Sequence, residues 1–192
     1  MASVAAILSL TSFTVAAMAT AGLAQEVPAA LRYFTDIALS TQDGAEVKLY
    51  SDLLQGKVVV INTFFTKCEN SCPVMAANFA AIQEHFADRM GKSLFLLSFS
   101  VDPVADTPAV LKSYAARFHA KPGWLLITGT KANVDFALSK LGQKVEHKED
   151  HMNLILIGND KTGLWKKVLG VAPRDTLFAA VQSVLDDTGG SN

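Results

Sequence analysis

Hydrophobic positions along this chain follow two spacings, and each switch between them marks an element. Lys57-Val58-Val59-Val60-Ile61-Asn62-Thr63-Phe64-Phe65 is a β-branched and aromatic run that predicts a buried strand. Pro73 then opens a stretch to about Met90 in which Val74, Phe79, Ile82 and Phe86 recur at helical spacing. Proline suits a helix's first turn because its missing N–H has no partner to lose there. Ser93 to Val101 predicts a second buried strand. Asp106-Thr107-Pro108 predicts a helix start, with Val110, Leu111, Tyr114 and Phe118 as the apolar face. Trp124 to Thr128 predicts a third strand, and Lys131 to Leu141 a helix with Val134, Leu138 and Leu141 on one face. Leu154 to Ile157 predicts a strand, paired across Asn159-Asp160-Lys161-Thr162-Gly163 with Gly163 to Gly170 as a late hairpin. Pro173 to Leu185 closes the pattern as a helix, and Gly189 to Asn192 is a tail.

Alternating strands and helices imply an α/β domain with crossover connections, and the late antiparallel hairpin makes its sheet mixed. A mixed central sheet flanked by helices, with two cysteines between the first long strand and its helix, is the thioredoxin-like arrangement. No internal repeat or low-complexity tract interrupts it.

The first two dozen residues follow neither spacing. Met1 to Gln25 contains no Lys, Arg, Asp or Glu, and ends in Gly22-Leu23-Ala24-Gln25. Small residues at Gly22 and Ala24 fit cleavage after Ala24 by a signal peptidase. The missing basic start and the length of the apolar run fit an uncleaved membrane anchor instead. Residues 1–24 are therefore read as a signal peptide or an N-terminal anchor, and 25–192 as the folded domain. Both readings place the domain in the periplasm or otherwise outside the cytoplasm.

Composition narrows the function. The 192 residues are 50% hydrophobic and 18% charged, with a formal net charge of −1. No dense basic block occurs, which argues against nucleic acid as a partner, because phosphate contacts need clustered Lys and Arg. The chain has two cysteines, Cys68 and Cys72. A disulfide between them would close so short a loop that its entropic stabilisation is small, so a purely structural staple explains them poorly.

The chemistry centres on Thr66-Lys67-Cys68-Glu69-Asn70-Ser71-Cys72-Pro73. Both thiols fall where a strand hands over to a helix. Unpaired N–H groups and partial positive charge at a helix start favour thiolate over thiol, and Lys67 adds to that. Thiolates are nucleophiles and soft metal ligands. Pro73 biases Cys72 away from helical conformation. Of the four histidines, His85 and His119 fall near helix ends, in solvent-facing or capping positions. His147 and His151 lie in Glu146-His147-Lys148-Glu149-Asp150-His151, a polar loop before the late strand, and either could supply a third ligand. The same loop also reads as a solvated charge run or as a separate zinc or nickel site. Asp102, ahead of Pro103, reads as a turn or helix-cap carboxylate.

These blocks resemble the Sco/SenC family, copper proteins associated with cytochrome c oxidase assembly. The resemblance spans about Val27 to Leu185. It rests on Phe64 to Pro73, similar to the family's CxxxCP element, on Ser100-Val101-Asp102-Pro103-Val104-Ala105-Asp106-Thr107-Pro108, and on His151 before a hydrophobic strand. The resemblance implies that Cys68 and Cys72 are copper ligands and a redox-active pair, with His151 as third ligand. It also implies subunit II of cytochrome c oxidase, or another cuproprotein, as the partner that receives the copper ion. Met152-Asn153 stands where the family pattern has a small hydroxyl residue after the histidine.

Two functions follow from these residues. One is a metallochaperone that needs both cysteines and a histidine. The other is a thiol–disulfide oxidoreductase acting on a partner's cysteine pair through a mixed disulfide. A thiol peroxidase of the same broad fold is a weaker third, because no residue marks a peroxide pocket.

Overall fold

The computed structural model describes residues 27–68, 72–150 and 153–190. Residues 1–24, expected as a signal peptide or N-terminal anchor, and His151 lie outside the described residues. Short elements come first: helix α1 (Ala29–Phe34), strands β1 (Ala38–Thr41) and β2 (Glu46–Lys48), and a π-helical turn at Leu49–Leu54. Then follow β3 (Val58–Phe64), α2 (Cys72–His85), β4 (Leu94–Ser100), α3 (Pro108–Arg117), β5 (Trp124–Thr128) and α4 (Lys131–Lys140). The hairpin β6 (Leu154–Asn159) and β7 (Leu164–Leu169) and helix α5 (Arg174–Leu185) complete the domain.

The strands form one seven-stranded sheet in the order β2-β1-β5-β4-β3-β6-β7. β3, β4 and β5 are parallel, with Val58 opposite Leu94 and Leu96 opposite Trp124. β6 runs antiparallel to β3, with Asn62 opposite Ile155, and β7 antiparallel to β6. This is the mixed α/β sheet with a late hairpin that the hydrophobic pattern predicts.

Every residue of β3 is buried, because both faces of the sheet are covered. Val58 and Val60 face one core, with Met75, Phe79 and Ile82 of α2, Leu111 and Tyr114 of α3, and Leu177 and Val181 of α5. Val59 and Ile61 face the other, with Leu49, Leu53, Leu54, and Val134 and Leu138 of α4. The two-residue period of a strand sorts neighbours to opposite faces. Because α2 and α3 cross over on the same face, the loops leaving β3 and β4 emerge together at the carboxyl edge of the parallel strands. Ligand sites of α/β sheets form at that edge.

The structure corrects some boundaries. The helix predicted from Pro73 to Met90 ends at His85. Beyond it, the Arg89 N–H turns back to the Phe86 carbonyl at 2.9 Å and Gly91 takes φ +70°, so the chain leaves the helix before Met90. Cys72 is the first residue of α2, although the proline after it biases it away from helix. Burial of its side chain, 1% exposed, outweighs that local bias. The elements before β3 are each too short to display a period in the sequence.

Candidate functional site

Three parts of the chain meet at the carboxyl edge of the sheet: residues 65–68 after β3, residues 101–107 between β4 and α3, and Lys148 ahead of β6. Phe65 clips the cysteines in place with its backbone. Its carbonyl accepts the Cys68 N–H at 3.2 Å, and its N–H donates to the Cys72 sulfur. The two cysteines are thiols, not a disulfide, and the Cys72 thiol shares a hydrogen bond with the Cys68 sulfur. Cys68 is half-buried and Cys72 is buried.

That geometry corrects the expected thiolate for Cys72. Burial pushes its thiol up to about 12. The hydrogen bond to Cys68 adds to the rise, and so do unfavourable charge interactions with Cys68 and Asp106. The Phe65 N–H pulls the other way without offsetting them. Taking a thiolate out of water costs more than one backbone donor returns. Burial likewise raises the Tyr114 phenol beside the pair, so it stays neutral.

Under the loop lies Asp106, 1% exposed. Its carboxylate accepts the Thr66 hydroxyl at 2.5 Å, the Thr66 N–H at 3.3 Å and the Ser100 hydroxyl at 2.6 Å. The Ser100 oxygen in turn accepts the Asp102 N–H at 3.0 Å. A buried carboxylate with this many donors fastens the cysteine loop to the start of α3. Sequence reading placed Asp106 only at a helix start. The signal that it does more was the pairing of a carboxylate with Ser100 and Thr66 on neighbouring strand ends, visible once the parallel register is known.

Asp102 does sit in a turn, as expected: its carbonyl accepts the N–H groups of Ala105 and Asp106 at 3.0 and 2.9 Å. Its carboxylate also accepts the Lys148 ammonium at 2.7 Å. The same ammonium lies 5.4 Å from the centre of the Phe65 ring. Lys148 therefore ties the predicted histidine loop to the segment that carries the cysteines. His147 is exposed. His85 stacks on Phe178 of α5 with ring centres 4.1 Å apart, and the His119 carbonyl accepts Gln83 Nε2 at 3.1 Å. Both histidines are exposed, as their positions near helix ends predict. Among the described residues, no three His, Cys, Asp or Glu side chains gather as a metal group. Among the same residues, no helix is long and apolar enough to cross a membrane.

Residues 27–186 match the SCO1/SenC family model. The chain belongs to the SCO1/SenC family. An SCO1 protein homolog of Bacillus subtilis is 31% identical over 172 residues, 83% of this chain and 86% of that one. The structure of BsSco, a member of the Sco family of cytochrome c oxidase assembly proteins, superposes with TM-score 0.63 at 31% identity, covering 77% of this chain and 90% of that one. Copper-bound yeast Sco1 superposes with TM-score 0.65 at 25% identity, covering 79% of this chain and 92% of the other. The fold of this SCO1/SenC domain is accordingly the thioredoxin-like one expected from the position of its cysteine pair.

Proposed function

We propose that this SCO1/SenC protein is an extracytoplasmic copper metallochaperone. It takes a copper ion as cargo on Cys68, Cys72 and His151, and delivers it during assembly of cytochrome c oxidase, to subunit II or another cuproprotein. The observation that carries the reading is the hydrogen-bonded thiol pair, one sulfur half-buried and one buried, at the carboxyl edge of the sheet. Membership in a family with a copper-bound relative supports it.

The donor set suits the ion. Sulfur donors favour copper over hard cations, which prefer oxygen, and an imidazole completes such a set. The Lys148–Asp102 contact supports a histidine from the adjoining loop. Binding must displace the proton that burial holds on Cys72, so loading releases protons. The uncharged N-terminal run, as signal or anchor, supports a place outside the cytoplasm.

The test is an anaerobic titration of the reduced protein with copper, beside Cys72→Ser, His151→Ala and His147→Ala. One tightly held copper, lost in Cys72→Ser and strongly weakened in His151→Ala alone, is expected. Weakening in His147→Ala instead moves the third ligand. No tight binding overturns the reading.

The asymmetry of the two sulfurs favours a second reading, a thiol–disulfide oxidoreductase. An accessible Cys68 attacks a partner disulfide, and Cys72 resolves the mixed disulfide. Copper-free reduction of a partner's cysteine pair, unaffected by His151→Ala, would favour this reading over the first.

A further inference from the structure

Beside the thiols the surface is hollowed in two places. One cavity, of about 490 Å³, is bounded by Thr66, Lys67, Cys68, Pro73 and Arg117. The other, of about 440 Å³, runs along α3 past Tyr114 and Ser113 to Val110. Thr66 and Arg117 line both, so the two form one trough from Cys68 to the first turn of α3.

The trough has a charge sign. Among the described residues, Lys67 and Arg117 are the charged ones that line it, and no described carboxylate does. Asp106 lies beneath Thr66 and is engaged by Thr66 and Ser100. The Arg117 guanidinium lies 5.7 Å from the Tyr114 ring centre and 5.9 Å from that of Phe118. Cation–π attraction of this kind draws the guanidinium toward the rings, and its N–H fork suits a carboxylate. Val110, 39% exposed, gives the far end an apolar contact, and Val74, 50% exposed, follows Pro73 at the near end.

We propose that this trough receives an extended partner segment that carries a reactive cysteine, and that Arg117 selects segments with a carboxylate beside that cysteine. The inference rests on the proposed exchange with a partner's cysteine site and names what is recognised there. A cysteine belongs to the occupant because the trough ends on Cys68, while Cys72 is 1% exposed. An acidic residue belongs to it because the described lining is cationic and a guanidinium pairs with a carboxylate in bidentate fashion. Arg117 is a specificity-determining residue here and takes no part in bond making.

The test uses the full chain with Cys72→Ser, so that Cys68 is the one thiol, and no copper. Short peptides carry one cysteine, activated as its mixed disulfide with thionitrobenzoate, flanked by Glu, Gln or Lys. The Cys68 thiolate attacks the peptide sulfur, the Cys68–peptide disulfide forms, and thionitrobenzoate leaves with the electron pair of the broken bond. The readout is the ratio of rate constants between peptides, in which any change in the intrinsic reactivity of Cys68 cancels.

A preference of about tenfold for the Glu over the Lys peptide is expected at low salt, shrinking as salt screens the contact. Arg117→Gln should remove most of the preference, and Arg117→Glu should invert it. A preference that survives both Arg117 variants, or that disappears only in Lys67→Gln, overturns the assignment. So does a rate indifferent to the flanking charge in the starting protein. Because copper is absent throughout, failure of the copper titration and failure of this selectivity are separate results.

Discussion

The Thr66 hydroxyl donates to the Asp106 carboxylate at 2.5 Å, across forty residues of sequence. Ser100 donates to the same carboxylate at 2.6 Å. One buried charge thus joins the end of β4, the turn before α3 and the loop that carries Cys68. The position of the thiols is set from below by this carboxylate and from behind by the backbone of Phe65.

Removing that carboxylate should loosen the site and lower stability together. Asp106→Ala leaves two hydroxyls and a backbone N–H without their acceptor in a buried place, at a cost of about 2–4 kcal/mol. Thermal unfolding should report the loss, and faster alkylation of Cys72 at temperatures well below the melt should report the loosened loop. An unchanged melt would show that water replaces the carboxylate without penalty.

The two cysteines should react unequally. A thiol pushed up to about 12 is almost wholly protonated at neutral pH, and Cys72 is also buried. Iodoacetamide at pH 7 should therefore modify Cys68 first, as read by mass spectrometry of the digested protein. In Cys68→Ser, modification of Cys72 should stay slow and keep rising with pH through the mildly alkaline range, because its thiolate fraction is still growing there. A plateau near neutrality would mean that the thiol is not raised.

Gly158 in β6 is held small by the ring of Trp165 across the hairpin. A Cβ built there would lie 2.4 Å from the ring, so Gly158→Ala must push the indole away. Overpacking of this kind costs about 1–3 kcal/mol. Trp165 is 36% exposed and Trp124 is buried, so a red shift of tryptophan emission should accompany the lower melting temperature. Unchanged emission and stability would place the ring elsewhere in solution.

Asp36 should contribute to stability only above the acid range. Its carboxylate accepts the Ser51 hydroxyl at 2.6 Å and the Ser51 N–H at 2.8 Å, and these bonds hold its pKa below the ordinary 3.8. A carboxylate depressed on folding stabilises the native state above its unfolded pKa, and that contribution is lost as pH falls through the folded value. Asp36→Asn should therefore destabilise at pH 7 by about 1 kcal/mol, with the gap to the parent protein closing as pH drops below about 4. Denaturant melts at several pH values would show it. A gap independent of pH would contradict the assignment.

Much of the architecture was legible because it follows periods that burial imposes locally. β3, β4, β5, the β6–β7 hairpin, α4 and α5 appear within a few residues of where apolar spacing predicts them. β1 and β2, of four and three residues, were not legible. Two inward positions, Leu39 and Thr41, do not make a pattern. Their pairing with β5 and with each other is a consequence of the sheet edge that β5 presents.

The site divides in the same way. The sequence by itself determined that two cysteines occupy a strand-to-helix junction and that a polar, histidine-bearing loop precedes the late strand. Those facts depend on residue order alone. Only the tertiary structure decided that Cys72 is buried and protonated, that Asp106 underlies Thr66, that Lys148 bridges to Asp102 and Phe65, and that Arg117 shares a trough with Cys68. Each of these depends on the side-by-side placement of β3, β4 and β6. Desolvation and charge pairing act through distances in space, and a linear sequence does not contain those distances.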